Sequence, residues 1–232
     1  MKLGIFTDSH YSSQEVTCGN RYNSRSLEKI RKAMGFFEAE GCDFVLCLGD
    51  LIDREHDHEK EQRNLRAVAE VFDASPLRVI CVMGNHDGFT FTTEEFYSIL
   101  GQKSRPETME MEGKTLLFPD ACYFQNGRHY MPGDSDWEDT FLPDTAGLSA
   151  ALDRAEGDVY LFLHQNLDPM IREDHAVKNR GQVVDLLQRS GKVRAVFQGH
   201  YHPGQTSQHN GVQYITLPAM CEDENRYYIF EL

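Results

Sequence analysis

Five short segments of this chain carry aspartate, histidine and asparagine in combinations that bind divalent metal ions: Asp8-Ser9-His10, Gly49-Asp50-Leu51-Ile52-Asp53-Arg54, Gly84-Asn85-His86-Asp87, the single His164, and Gly199-His200-Tyr201-His202. Imidazole nitrogen and carboxylate oxygen together suit borderline ions such as Mn, Fe, Co or Zn, and one carboxylate can bridge two of them. The pattern points to a two-metal site with Asp50 as the bridge. Asp8 with His10, and His200 with His202, stand at i and i+2. In extended backbone such pairs project to one side, so each loop can send two donors into one cluster. Glycines 49, 84 and 199 are expected to permit the sharp turns this needs. A lone Asp-x-His pair is common by chance, whereas all five pieces in this order are not. The other histidines, His56, His58, His129, His175 and His209, lack this context and read as surface residues.

Each segment directly follows an apolar run: LGIF (3–6), FVLCL (44–48), RVICVM (78–83), VYLFL (159–163) and AVFQ (195–198). Such runs read as strands buried on both faces, and loops at the carboxyl ends of strands form the binding crevice of open α/β sheets. Amphipathic helices are expected at 24–40, with Leu27, Ile30, Ala33, Met34 and Phe37 at helical spacing, at 58–74, and at 177–190. Ser24 is the expected N-cap of the first, and Gly41 its stop. The first half is thus βαβαβ, with parallel strands and right-handed crossovers. After Lys114 the closely spaced runs TLLF, CYFQ and RHYM suggest antiparallel hairpins, and the stretch from Gly204 to Leu232 a terminal antiparallel meander. Met131 to Asp144, rich in Pro, Gly and Asp, reads as a loop or lid near the site.

With 23 Lys plus Arg against 37 Asp plus Glu, the chain carries a formal charge of −14. That disfavours nucleic acid as a partner, because phosphate backbones are bound by clustered cations, and it suits a site whose positive charge comes from metal ions. At 40% hydrophobic and 11% aromatic, the 232 residues are expected to form a single domain over 1–232. The six cysteines include no CxxC pair, and Cys42, Cys47 and Cys81 lie in or beside buried-strand runs. Free thiols in a reducing cytoplasm are therefore expected. No apolar run approaches the ~18 residues of a membrane span.

In order and spacing, DSH, GDLID, GNHD, His164 and GHYH resemble the calcineurin-like metallophosphoesterase superfamily, over about residues 3–217. The resemblance implies an α/β fold: a four-layer α-β-β-α sandwich of two mixed β-sheets flanked by helices. It implies two divalent metal ions, manganese foremost and Fe, Zn or Co as alternatives. One would be held by Asp8, His10, Asp50 and His202, the other by Asp50, Asn85, His164 and His200. His86 then matches the family's catalytic histidine beside the leaving group, and Asp53 the acidic residue that orients it and keeps it protonated. Asn85 would also stabilise the phosphoryl oxygens, and Arg54 stands where some relatives contact phosphate. Between the motifs, Arg21 and Tyr22 before a helix starting near Ser24, GDLIDRE, and GNHDGFTFTTEEFY resemble the manganese-dependent ADP-ribose/CDP-alcohol diphosphatase branch, with Asp87 replacing that branch's glutamate.

The expected activity is hydrolysis of a small phosphate ester or nucleotide diphosphate by hydroxide activated between two metals. The alternative is a phosphodiesterase or phosphomonoesterase of the same fold acting on cyclic nucleotides or other small esters. A non-catalytic scaffold would be expected to have lost ligands or His86, and all are present. Among the aromatics near the motifs, Phe89, Phe91, Tyr97, Tyr123, Tyr130, Trp137 and Tyr201, one or two are candidates to stack on a base and most are expected in the core.

Overall fold

The computed structural model describes residues 1–232, and in it the apolar runs form the strands of two mixed sheets. In the first, β1 (Lys2–Phe6), β2 (Phe44–Cys47) and β3 (Val79–Cys81) are parallel, and β10 (Tyr228–Glu231) runs antiparallel to β1 at the edge. The second sheet has the order β4-β5-β6-β7-β9-β8. Its members are β4 (Thr108–Met111), β5 (Lys114–Leu117), β6 (Asp158–Phe162), β7 (Val193–Gln198), β8 (Gln205–His209) and β9 (Val212–Thr216), with β4 and β8 as antiparallel edges.

Three buried clusters separate four layers. Ile30, Ala33 and Phe37 of α1 (Ser26–Ala39), with Leu65 and Val68 of α2 (His58–Asp73), pack on Phe6, Val45 and Cys47. Between the sheets, Leu3, Ile5 and Leu46 meet Leu116, Phe162 and Phe197, and the Phe162 and Phe197 rings stack at 5.0 Å and 8°. On the far side, Leu148 and Leu152 of α5 (Thr145–Arg154) and Val183 and Leu187 of α6 (Arg180–Ser190) cover Val159, Leu161 and Val196. Central strands are thus buried on both faces, which is why they read as unbroken apolar runs. Each such fully buried side chain contributes about 1.5–3 kcal/mol. The four-layer sandwich is the architecture expected, and its carboxyl strand ends carry the polar segments.

Several expectations change. Ser24 is not a helix cap: Asn23–Arg25 form a 3-10 turn, α1 starts at Ser26 with no side-chain cap, and Ser24 N donates to Gln14 O at 3.0 Å. Helix α6 starts at Arg180, after an extended approach in which Ala176 bridges Asn166 and Val177 N donates to Asn166 O at 2.9 Å. Strand β5 pairs backwards with β4 and in parallel with β6, while CYFQ and RHYM make only isolated bridges such as Tyr123 with His129. The meander is half present: β8 and β9 form a hairpin turning at Asn210 (φ 48°) and Gly211 (φ 85°), a geometry that suits Asn-Gly. β10 instead crosses to the other sheet and joins β1. Two short helices, α3 (Asn85–Thr90) and α4 (Thr93–Ile99), follow β3. No helix is long and apolar enough to cross a membrane.

Candidate metal centre

The loops after the strands are bolted to one another before any ligand is considered. Asp8 N, His10 N and Tyr11 N donate to Gly49 O, Asp50 O and Leu51 O at 3.0, 2.9 and 2.9 Å, so the loop after β1 runs beside the loop after β2. The buried Asp87 carboxylate bridges the next pair, accepting from Leu51 N through Oδ1 and from Gly84 N through Oδ2, both at 3.0 Å. The two sheets meet here as well, where Met220 N and Cys221 N donate to Thr7 O and Asp8 O at 3.0 Å.

The sharp turns come mainly from non-glycine residues. Asp8, His10, Asp50 and His200 have φ of 53°, 43°, 52° and 66°, a left-handed conformation that costs such residues about 1–3 kcal/mol each and clusters at functional sites. The i, i+2 pairs are therefore not extended, and their convergence comes from these kinks instead. Of the three glycines, only Gly49 (φ 94°) supplies a left-handed turn. Gly84 is needed for space: a Cβ there would lie 2.2 Å from Asp50 Oδ1 and 2.4 Å from Asp50 N.

All seven expected ligands converge. His10 Nε2 and His202 Nε2 face each other at 3.2 Å, and Asp8 Oδ1 lies 3.7 and 3.4 Å from them. Asp50 Oδ2 stands between the two groups, 3.6 Å from His10 Nε2 and 3.3 Å from His164 Nε2. Asn85 Oδ1 is 3.1 Å from His164 Nε2. His200 and His202 part: the His200 ring packs against His164 at 5.2 Å, and the His202 ring against His10 at 5.1 Å.

The donor set fits divalent cations. Among these donors, Asp8 Oδ1 and His200 Nε2 are buried polar atoms with no hydrogen-bond partner, an arrangement proteins avoid unless something else satisfies the atoms. His10, His202 and Cys221 can offer ligand atoms within 4.8 Å of one another, as can His10, Asp50 and His86, and Asp50, His164 and His200. Burial pushes the Asp8 and Asp50 carboxyls up, but the surrounding histidines, His164 foremost, overcome it and hold both below the ordinary range. Burial likewise opposes charge on His164 and His202, yet Asp50 and Asp8 raise the first to about 9, and Asp8 and Glu222 raise the second to about 9. His200 goes well below its ordinary value through burial and the neighbouring His164.

His86 adjoins the cluster at its more exposed edge, with 24% of its side chain exposed, and its Nδ1 is 2.9 Å from Asp53 Oδ1. Asp53 is itself fixed by Thr17 Oγ1 and Asn23 Nδ2, which donate to Oδ2 at 2.8 and 2.9 Å. His86 N donates to Asp50 Oδ1 at 2.8 Å, tying the backbone of one to the carboxylate of the other. The Asp53 contact fixes the ring from its Nδ1 side. Burial lowers the His86 pKa, and Asp50 and Asp53 offset that only in part. A cavity of about 350 Å³ opens over the cluster, lined by Arg21, Asp50, Asn85, His86, His200 and His202 together with Cys18, Trp137, His175 and Pro203. A larger one of about 720 Å³, beside α4 and His129, contains none of the ligands.

A family model of calcineurin-like phosphoesterases matches residues 1–204. The chain belongs to that family. Among curated relatives, this phosphoesterase is 22% identical over 231 residues to a probable cyclic nucleotide phosphodiesterase of Psychrobacter arcticus, covering 93% of the chain and 74% of the relative. It is 24% identical over 222 residues to the DNA double-strand break repair protein Mre11 of Nanoarchaeum equitans, covering 86% of the chain but only 57% of that relative. In fold it is similar to a dimetal phosphatase from Danio rerio, with a TM-score of 0.86 at 20% identity, covering 99% of this chain and 91% of that one.

Several residues of the phosphoesterase site escape a reading of the motifs. Glu222 Oε1 lies 2.6 Å from His202 Nδ1, and His175 joins the cavity wall although it reads as a surface residue. Of the aromatics, Phe89, Phe91, Tyr97 and Tyr130 are buried in the core, Tyr123 packs on His129, Tyr201 on His175, and Trp137 alone lines the cavity. Trp137 comes from the Met131–Asp144 segment, so that loop does border the site. Arg54 turns away to brace the same loop, donating to Asp134 O at 3.0 Å.

Proposed function

We propose that this phosphoesterase hydrolyses small phosphate esters or nucleotide diphosphates of the ADP-ribose or CDP-alcohol kind, using two divalent cations, manganese foremost. Asp8, His10, Asp50 and His202 would hold one cation, and Asp50, Asn85, His164 and His200 the other. The observation that carries this reading is the convergence of these donors beneath one cavity with two of their buried polar atoms, Asp8 Oδ1 and His200 Nε2, left unpartnered. Bound there, such ions polarise phosphoryl oxygens and lower the pKa of water toward neutrality.

The chain's own residues do the rest. Asp53 fixes His86 through Nδ1, which turns the ring's Nε2 to the cavity; when the ring is protonated it donates the Nε2 proton to the departing oxygen and is left neutral. Asn85 gives its Oδ1 to the His164 side and keeps its amide for a phosphoryl oxygen. Arg21, 3.7 Å from Asp53 Oδ1 and 18% exposed, adds a fixed positive charge to the same wall.

A second reading, cleavage of cyclic nucleotides or other phosphodiesters, is favoured by the printed name of the Psychrobacter arcticus relative. Long nucleic acids are poor candidates for a chain of charge −14. The six free thiols suit a reducing cytoplasm. A panel of ADP-ribose, CDP-choline, cyclic AMP and p-nitrophenyl phosphate, offered to protein loaded with manganese, separates the readings. Preferential release of AMP from ADP-ribose supports the diphosphatase; preference for cyclic AMP supports the second reading, and turnover of the monoester alone excludes both nucleotide substrates and leaves a phosphomonoesterase.

A further inference from the structure

The cavity holds a second imidazole anchored in the same manner as His86. His175 ends a 3-10 turn over Glu173–His175, between β6 and α6, and its Nδ1 lies 2.9 Å from Asp174 Oδ1. Arg172 Nε donates to that carboxylate at 3.1 Å. The turn is fastened by Val177 N, which donates to Asn166 O at 2.9 Å, two residues beyond His164. In both His86 and His175 a carboxylate takes the Nδ1 proton, leaving Nε2 as the ring's remaining polar atom. Their side chains are 24% and 21% exposed, so neither ring is freely solvated nor sealed in a core.

The two rings stand at different ends of the ligand cluster. His86 meets His10 edge-on at 4.5 Å, whereas His175 packs against His200 at 5.6 Å and is flanked by Trp137 at 4.9 Å and Tyr201 at 5.2 Å. A phosphoryl group seated over the cluster therefore has His86 on one side and the His175–Trp137 wall on the other. With His86 at the leaving oxygen, the substituent that stays on phosphorus is the part of the substrate free to lie along the other wall.

We propose that His175 is a specificity-determining residue that binds this retained substituent, and that the substituent is a nucleoside. With Nδ1 held by Asp174, Nε2 is left to hydrogen-bond a sugar hydroxyl, which can both donate and accept. The adjoining indole of Trp137 offers a face to a planar base. A phosphate monoester has no group there to hold. The inference rests on the phosphoester hydrolysis proposed above, with His86 on the leaving side.

Two esters with the same leaving group test it: p-nitrophenyl phosphate, and the p-nitrophenyl ester of thymidine 5′-monophosphate. In His175→Ala the ratio of kcat/KM for the nucleoside ester to that for the monoester is expected to fall tenfold or more, mainly through KM, with bound metal equal to wild type by elemental analysis. Asp174→Asn, which frees the ring, should shift the ratio the same way by less. An equal loss on both esters, an unchanged ratio, or loss of metal overturns the role of His175 while the wild-type enzyme remains a phosphoesterase. A wild-type protein that cleaves neither ester overturns the phosphoesterase reading and this role with it.

Discussion

The Nε2 atoms of His10 and His202 face each other across 3.2 Å, above the unpartnered Oδ1 of Asp8. Two ring nitrogens at that distance need a proton or a cation between them. In the metal-free protein the proton is there: His202 and His164 are each raised to about 9 by their carboxylate neighbours, against the opposing effect of burial. Two cations, one on each side of Asp50, must each displace one of these protons.

Metal binding at pH 7 should therefore release close to two protons per chain, and affinity should weaken as pH falls from about 9. Calorimetry in buffers of different ionisation enthalpy counts the protons. The sign for stability is also fixed. Both histidines are raised above the ordinary value of about 6.5, so their stabilisation of the metal-free protein is complete below that pH and lost as pH rises through 9. Thermal unfolding of metal-free protein should show this decline, and metal-loaded protein should not.

Glu222 accepts from His202 Nδ1 at 2.6 Å and so presents Nε2 as the ligand atom. Partners of this kind are typically worth 10–100-fold in metal affinity. Glu222→Ala should weaken binding at the His202 side by that factor, read by competition with a chelating dye, while the fold is retained because Glu222 is partly exposed.

His86→Ala removes the proton-handling ring without removing any of the seven proposed ligands. Turnover should fall by about 10²–10⁴, the usual worth of a positioned acid or base, and elemental analysis should find full metal. Loss of metal in that variant would mean that His86 is a ligand beside His10 and Asp50, whose ligand atoms lie within 4.8 Å of its own.

Asp87→Ala should unfold more easily. Its carboxylate serves two buried amides, Leu51 N and Gly84 N, each from a loop next to a proposed ligand. An unsatisfied buried donor costs about 1–3 kcal/mol, so the melting temperature should drop by several degrees and metal affinity with it. Asp87→Asn, which keeps one acceptor oxygen, should lose less.

Much of this was legible in the residues, for a physical reason. Strands buried on both faces must be apolar throughout, so the polar segments at their carboxyl ends stand out, and those segments hold all seven converging donors. The contacts that tune the donors did not stand out. Glu222 reaches His202 from 20 positions away, and Asn23 and Thr17 reach Asp53 from 30 and 36. No local pattern marks such pairs. His175 read as a surface residue because nothing nearby in sequence shows that Asp174 and Trp137 turn it inward. The run of apolar and aromatic residues from Tyr227 to Phe230 marks a strand but does not say which sheet takes it, and β10 crosses to β1. GNHDGF reads as a loop because Gly and Asn are poor helix formers, yet Asp87 accepting from Gly84 N starts a short helix there.

The central claim, that two cations in this cluster support phosphoester hydrolysis, is tested most directly by titrating metal-free protein with manganese while following bis-p-nitrophenyl phosphate cleavage and bound metal together. Activity that is absent without metal and reaches its plateau at two manganese ions per chain is the predicted result. Activity that ignores metal, or a plateau at one ion, would contradict the two-metal account.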